Sequence, residues 1–188
     1  MEVWNGLELN APEGVAAVGG KLFVNAAAST AISNTSAETD FSLNYTLPAN
    51  SLKVGQVIRL VCRGTLNTHS TAPTLIMRVK FGATVLALTP TWTTIASTAN
   101  RGWEITFDTI VTAIGTGGTV EALGVFNTST GAAAAVTNQM LDLKNATPTS
   151  PVTVNTTVAQ TLQVSAKFSV ASVNNSMTMR QMIVEVLN

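Results

Sequence analysis

The amino-acid sequence predicts an all-β protein, an antiparallel jelly-roll sandwich of about eight strands with an extended N-terminal arm. Apolar and polar residues alternate with a period of two along most of the chain after residue 38. Turn-forming Gly, Pro, Asn and Ser residues separate these stretches, and no stretch has a convincing helical periodicity. At 188 residues, the chain is long enough for one such domain with an appended segment, or for two small domains.

Residues 40–66 carry the clearest strand–turn–strand pattern. Apolar residues alternate with polar ones up to Leu47, and Pro48 then ends the strand because it has no N–H to donate to a ladder. A second alternation after the turn places Arg59 and Arg63 on the outer face, where we expect a neighbouring subunit or water. The residues predicted to face the core are Phe41, Leu43, Tyr45, Ile58, Leu60 and Cys62.

Six further strands show the same alternation, and glycines in residues 115–118 favour a hairpin turn between two of them. These strands are predicted at residues 75–81, 84–88, 102–114, 119–127, 158–170 and 177–187. The phase of the last strand slips near Arg180 and Gln181, which indicates a β-bulge. Residues 128–157 are low in complexity and are predicted to form a long surface excursion, which leaves room for a short strand at 140–143.

The predicted jelly-roll domain spans residues 39–188. An immunoglobulin-like sandwich is the alternative, but the Cys…Trp…Cys spacing that marks a true immunoglobulin domain is missing.

Residues 1–38 lack sustained periodicity and are interpreted as an N-terminal arm. Trp4, Leu7 and Leu9 are apolar residues without a local partner, and Leu22 and Phe23 lie in one short candidate strand. The segment either binds a neighbouring subunit or folds back on its own domain, and the sequence does not decide between these. The predicted partner-binding residues are Trp4, Leu7, Leu9, Leu22, Phe23, Arg59 and Arg63.

The composition indicates that other subunits cover much of the surface. Only 11% of the residues are charged, whereas an ordinary soluble protein has about 25%. Hydrophobic residues make up 46%, and the mean hydropathy is +0.31. A surface with so few charges is weakly hydrated, which favours burial in an assembly. The alternative is that a β-protein rich in Thr, Asn and Ser has this composition without assembling.

Charge and patterning argue against several classes of partner and location. The net charge is zero without a basic block, so nucleic-acid binding is not expected. No apolar run approaches the roughly 18 residues of a membrane-spanning helix. The N-terminal residues lack the features of a signal peptide, so we expect synthesis in a cytoplasm. The single Cys62 cannot form an intrachain disulfide and is expected to be a buried, inert thiol.

No catalytic residue, metal site or cofactor is predicted, and the protein is not expected to be an enzyme. His69 is the one histidine. A catalytic triad needs an acidic residue that orients its histidine, and no acidic residue lies near His69 in sequence. Glu104 and Asp108 share a strand face but lie about 13 Å apart, beyond the roughly 5–9.5 Å of a glycosidase pair. Trp92 is the best candidate for stacking on a sugar, although a loop Trp more often packs at the core edge, and Trp103 is predicted inside.

The block from Thr30 to about Val111, with the last two strands, resembles a module of structural proteins from tailed bacteriophages. The signature that carries the resemblance is the strand–turn–strand pattern LPAN…L..G..I. The resemblance covers about 130 of the 188 residues. The matching stretches are NTSAETDF (34–41), YTLPANSLKVGQVIRLVCRGTLNT (45–68), TLIMRVKFGATVL (74–86), GWEITFDTIV (102–111), QTLQVSAKF (160–168) and MRQMIVEVL (179–187).

The resemblance implies a jelly roll that forms a homotrimer on the virion. It implies a capsid decoration (cement) protein on the outer surface of the head, bound to the major capsid protein after assembly in the host cytoplasm. A receptor-binding knob, or a domain of a head fibre or tail protein, is the first alternative, and a glycan receptor is expected only under it. A lectin-like jelly roll that binds carbohydrate is the second. No membrane or nucleic-acid partner is implied.

Overall fold

The computed structural model describes residues 20–130, 137–145 and 151–188, and these residues form strands and loops without a helix. Accordingly, no helix in these ranges is long and apolar enough to cross a membrane. The strands are β1 (Gly20–Val24), β2 (Ile32–Ser33), β3 (Thr39–Leu47), β4 (Val57–Asn67), β5 (Thr74–Phe81), β6 (Thr84–Leu88), β7 (Trp92–Thr93), β8 (Arg101–Ala113), β9 (Thr119–Thr130), β10 (Thr137–Asn145), β11 (Val152–Thr153), β12 (Gln160–Phe168) and β13 (Ser176–Val186).

The strand order confirms the predicted antiparallel jelly-roll sandwich. One layer, the front sheet, has the order β1-β13-β4-β8, and the other, the back sheet, has the order β3-β12-β5-β6. Most successive long strands therefore lie in opposite sheets, which is the double Greek-key arrangement of a jelly roll. The β9–β10 hairpin continues the front sheet and reaches β6 at Lys144↔Leu88, so it joins the two layers along one side.

All eight strands predicted from the alternation are present, and the observed ends lie within about three residues of the predicted ones. The register of β13 against β4 shifts between Met179 and Gln181, which confirms the predicted bulge. Val158 and Val170, expected in the core phase of β12, are exposed because they lie beyond its two ends.

Residues 20–38, which were predicted from the sequence to be part of the N-terminal arm, belong to the β-domain. Strand β1 pairs with β13, and β2 also pairs with β13 near its start. The Asn25 side chain accepts a hydrogen bond from the Met182 N–H and donates one to the Arg180 carbonyl. Ser29 pairs with the backbone of Met179 through its own N–H and its hydroxyl. This segment therefore satisfies backbone groups that the β-bulge leaves outside the regular ladder.

Residues 128–157, predicted to be a surface excursion, also contribute to the fold in their described part. Strand β10 pairs with β9 over eight consecutive residue pairs, and it contains the short strand proposed at 140–143. Leu143 is fully buried, and Val152 and Val154 pack into the core beside β9. Their low sequence complexity hid this pairing, because small and hydroxyl residues give little alternation of apolar and polar side chains.

The core lies between the two sheets and is organised around aromatic rings. Trp103 stacks on Phe41 from the opposite sheet, with ring centroids 5.7 Å apart, and on Phe126 at 6.3 Å. Four of the six residues predicted to face the core are buried, whereas Leu43 and Tyr45 are half-buried because β3 is an edge strand of the back sheet. Cys62 is fully buried, and this burial raises the pKa of its thiol.

A charged cluster fixes the start of β3 on the outer face of the back sheet. Lys80 Nζ lies 2.6 Å from Asp40 Oδ1 and 3.5 Å from Glu38 Oε1. Arg78 Nη1 lies 3.1 Å from Glu38 Oε2, an ion-pair contact without the alignment of a hydrogen bond. The Ser165 hydroxyl donates to Glu38 at 2.7 Å. Burial alone would raise the pKa of Glu38, but the Ser165 hydrogen bond and the two cations together lower it.

Acidification should weaken the fold through this cluster. Because the pKa of Glu38 is lowered in the folded state, ionised Glu38 adds to the free energy of unfolding at neutral pH. This contribution is lost as the pH falls below about 4.3, the ordinary pKa of Glu. We expect Glu38→Gln to lower the midpoint of urea unfolding at pH 7 and to flatten its decline in acid. Glu121→Gln, at an exposed site on β9, is the control and should change neither. Equal acid dependence in wild type and Glu38→Gln would contradict this role.

Candidate subunit interface

The outer face of β13, β4, β8, β9 and β10, termed the front face, is the candidate interface. Alternation along the strands decides which side chains point outward, and the register decides which of them are neighbours. The central row across this face runs through Ile183, Val61, Thr106 and Val125. All four side chains are partly exposed, and three of them are β-branched apolar residues.

An ion pair borders this apolar row on each side. Arg59 lies directly opposite Asp108 and donates from both Nε and Nη2, at 2.8 and 2.7 Å. Arg63 lies opposite Glu104, with Nε 2.6 Å from Oε2. The hydrogen bonds from Arg59 to Asp108 and the negative charge of Asp108 raise the pKa of Arg59. The two arginines that the sequence placed on the outer face do lie there, paired with the two carboxylates of β8.

The two ion pairs leave none of their four charges isolated, so a second surface can cover this part of the front face. The exposed Glu121, Asp142 and Lys144 of β9 and β10, by contrast, make no ion pair among the described residues. Each bidentate or close arginine–carboxylate pair keeps its partner when water is removed, so covering it leaves no isolated charge. Exposed pairs of this kind add little to the stability of a single subunit. Their stronger effect is on orientation when a second surface covers them.

Large apolar side chains are exposed at the β9–β10 side of the front face. Leu123 is 68% exposed and precedes the half-buried Val125 by two residues on β9. Met140 is 67% exposed and lies diagonally across from Val125 on β10, whereas the exposed Asp142 lies directly opposite Val125. Ile110, on β8, is 40% exposed. A concavity of about 430 Å³ lies beside them and is lined in part by Ile110, Leu123 and Lys144. A second one of about 540 Å³ lies near Arg63 and Glu104.

Alternation alone does not single out Leu123 and Met140, because it shows that both are outward but not that they adjoin Val125. The signal was present in the phase of β9, where an apolar residue follows Glu121 on the outward side. Only the β9–β10 register shows that these outward residues are neighbours, and β10 was only partly predicted from the sequence.

The other predicted partner-binding residues are placed as follows. Leu22 is 37% exposed on β1, and Phe23 packs against Tyr45 with ring centroids 5.8 Å apart. Phe23 is thus part of the edge of the core. Trp4, Leu7 and Leu9 lie outside the described residues.

The residues tested for chemistry do not form a catalytic arrangement in the part of the chain that the structure describes. His69 Nδ1 accepts from the Thr71 backbone N–H at 3.0 Å, and both Glu104 and Asp108 are engaged with arginines. Trp92 is buried against Phe126 rather than exposed for stacking on a sugar. Within the described ranges, no group of three or more His, Cys, Asp or Glu residues is arranged to hold a metal ion.

Comparison with known proteins gives one weak similarity. No protein-family model matches the sequence, and no curated protein matches it. Among solved structures, the CBM2 module of the evolved Dit of Lactobacillus casei BL23 phage J-1 aligns with 76% of this chain and 67% of that chain. The sequence identity is 8% and the TM-score is 0.33, values too low to establish a common fold or function.

Proposed function

We propose that the protein is a structural component of a bacteriophage virion, a capsid decoration protein that acts as a homotrimer. The observation that carries the proposal is the front face, where an apolar row lies between two ion pairs and large apolar side chains, Leu123 and Met140, are exposed on its β9–β10 side. The observed jelly roll and the sequence resemblance of residues 30–111 to phage structural modules support it. We propose that this face binds neighbouring copies, or the major capsid protein, on the outer surface of the head.

The physical basis of this binding is apolar burial with specificity from paired charges. Interface cores are depleted in unpaired charge and enriched in apolar and aromatic residues and in Met and Arg. The front face has this character in Val61, Val125, Leu123, Met140 and the two paired arginines. Both arginines of the front face are neutralised by carboxylates, so they give no basis for attraction to nucleic acid, which depends on unpaired Lys and Arg.

Charge introduced into the apolar patch should prevent assembly. We expect wild type to have the solution mass of a trimer at assembly concentrations, and Leu123→Asp with Met140→Asp to have that of a monomer. The interface would then enclose two added carboxylates, and desolvating each of them costs several kcal/mol even where Lys144 lies opposite position 123. Sedimentation equilibrium measures the mass. Val158→Asp, at an exposed apolar site outside the front face, is the control and should remain trimeric. A monomeric wild type would contradict the trimer, and a double variant that stays trimeric and still decorates capsids would contradict the role of the front face.

We also propose that residues 1–19, including Trp4, Leu7 and Leu9, act as the attachment arm. A tether raises the effective concentration of a second contact, so its removal weakens binding by more than the energy of the contacts that the tether itself makes. We expect deletion of residues 1–19 to leave thermal stability almost unchanged but to abolish cosedimentation with undecorated capsids. Deletion of residues 1–28 should also destabilise the fold, because it removes β1 and the Asn25 bonds to the bulge. Full decoration by the shorter deletion would rule the arm out.

A receptor-binding knob or a lectin-like module is the alternative to a decoration protein. Host-cell adsorption separates these roles, because a decoration protein need not bind the cell, whereas a knob must do so in the absence of capsids.

A further inference from the structure

Three loops meet at the end of the sandwich where β4 ends, and they form a site unrelated to the front face. These loops follow β4, precede β8 and connect β12 to β13. The Ser97 N–H donates to the His69 carbonyl at 2.8 Å, and the His69 N–H donates to Asn175 Oδ1 at 2.9 Å. The Asn100 N–H donates to Asn67 Oδ1 at 2.7 Å. Segments far apart in sequence are therefore joined directly by hydrogen bonds.

The loops border a concavity of about 530 Å³ that is open to solvent, and its lining is neutral and polar. Hydroxyl and amide side chains line most of it, together with His69, and its lining contains no carboxylate, ammonium or guanidinium group among the described residues. Its volume lies within the roughly 300–1,000 Å³ of small-molecule sites. The lining favours a neutral ligand that both donates and accepts hydrogen bonds.

Buried polar groups hold the loops around this concavity in place. Asn175 is almost fully buried, and its amide Nδ2 donates to the Val170 carbonyl at 3.0 Å. The buried hydroxyls of Thr68 and Thr98 lie 2.7 Å apart. Satisfied networks of this kind fix loop geometry before a ligand binds, which lowers the ordering cost of binding.

Other polar groups of the lining are not used by the fold. In the described part of the chain, no hydrogen bond engages the side chains of Ser97 or Asn174. Because His69 Nδ1 accepts the Thr71 N–H, the neutral ring carries its proton on Nε2, which is a donor. Ser97 has φ of 53°, a left-handed conformation that costs a non-glycine residue free energy and that occurs often at ligand sites.

A second concavity of about 360 Å³ shares His69 with the first. Its lining is more apolar and includes Ala72, Val170 and Ala171. The two concavities meet at His69, which brings the hydrogen-bonding groups of the first next to the apolar groups of the second. Sugars have this combination, since each ring has hydroxyls at its edge and a C–H face.

We propose that this loop-end concavity is a binding site for a neutral saccharide. Ser97, Asn174 and His69 hydrogen-bond the sugar hydroxyls, and the wall at Ala72 and Val170 contacts a C–H face. The site lies apart from the front face, so it functions whether or not the protein decorates a capsid.

Saturation-transfer and amide-shift NMR of the full chain test the proposal. The neutral probes are glucose, galactose, rhamnose and N-acetylglucosamine, and the charged probes are N-acetylneuraminic acid and glucosamine. We expect at least one neutral sugar to bind, with amide shifts confined to residues 67–72, 97–100 and 170–176. Ser97→Gly and Asn174→Ala should each weaken binding about threefold to tenfold, the effect of one lost hydrogen bond.

The variants are chosen so that misfolding does not imitate lost binding. Glycine accepts the positive φ of Ser97 without strain, so Ser97→Gly removes the CH2OH side chain without straining the loop. Thr116→Ala, in the turn at the opposite end of the sandwich, is the control and should bind as wild type does. The proposal is overturned if no neutral sugar binds, if the shifts map elsewhere, if charged sugars bind better, or if both variants bind with unchanged affinity.

Discussion

Gly64→Ala should destabilise the protein by about 3 kcal/mol or more, at the upper end of overpacking effects. A Cβ on Gly64 would lie 2.0 Å from the Thr178 carbonyl oxygen of β13 and 2.6 Å from the Trp103 ring. Neither neighbour can move cheaply, because the carbonyl belongs to the strand beside the bulge and Trp103 is stacked between Phe41 and Phe126. The position therefore requires glycine for space, not for an unusual φ angle.

Urea unfolding monitored by circular dichroism measures this effect. Gly102→Ala is the matched control, because Gly102 lies one residue before Trp103 and a Cβ added to it would have no described neighbour within 4 Å. The control should change the free energy of unfolding by less than about 0.5 kcal/mol. If both substitutions cost the same, the close packing of Trp103 over Gly64 is not present in solution.

Phe126→Ala should cost about 3–5 kcal/mol, the usual range for a buried Phe. Phe126 is fully buried, and its ring contacts Trp92 at 5.6 Å and Trp103 at 6.3 Å between centroids. Removing it opens a cavity between two indoles and loses two aromatic pairs, each of which adds about 0.5–1.5 kcal/mol beyond area burial.

Tryptophan fluorescence and denaturant titration check this prediction together. We expect Phe126→Ala to shift the emission of the folded state to longer wavelength and to lower the unfolding midpoint. Phe126→Leu fills most of the space and should cost clearly less than Phe126→Ala. A cost below about 1 kcal/mol for the alanine variant would place Phe126 outside the core of the protein.

The long strands of the fold are predictable from sequence because one face of each is buried. Alternation located β4, β8 and β12, and the phase slip at Arg180 located the bulge in β13. Register and close packing are not local properties, so the contact of Gly64 with Trp103 could not be predicted from the sequence.

The elements that sequence reasoning missed are those held by side chain-to-backbone hydrogen bonds or by long-range pairing. Asn25 and Ser29 bind residues about 150 positions away, and no local pattern reports such contacts. Strand β10 was only partly predicted because Thr and Asn residues at its ends obscure the alternation. The candidate interface was half predicted: Arg59 and Arg63 were placed on the outer face, but their partners and the exposed Leu123 and Met140 required the sheet register.

Reconstruction of the intact phage particle at residue resolution tests the proposed role most directly. We predict trimers on the outer surface of the head, with Leu123 and Met140 buried against a neighbouring copy or the major capsid protein. Copies located at the tail tip, or copies on the head whose front face is in contact with solvent, would contradict the proposal.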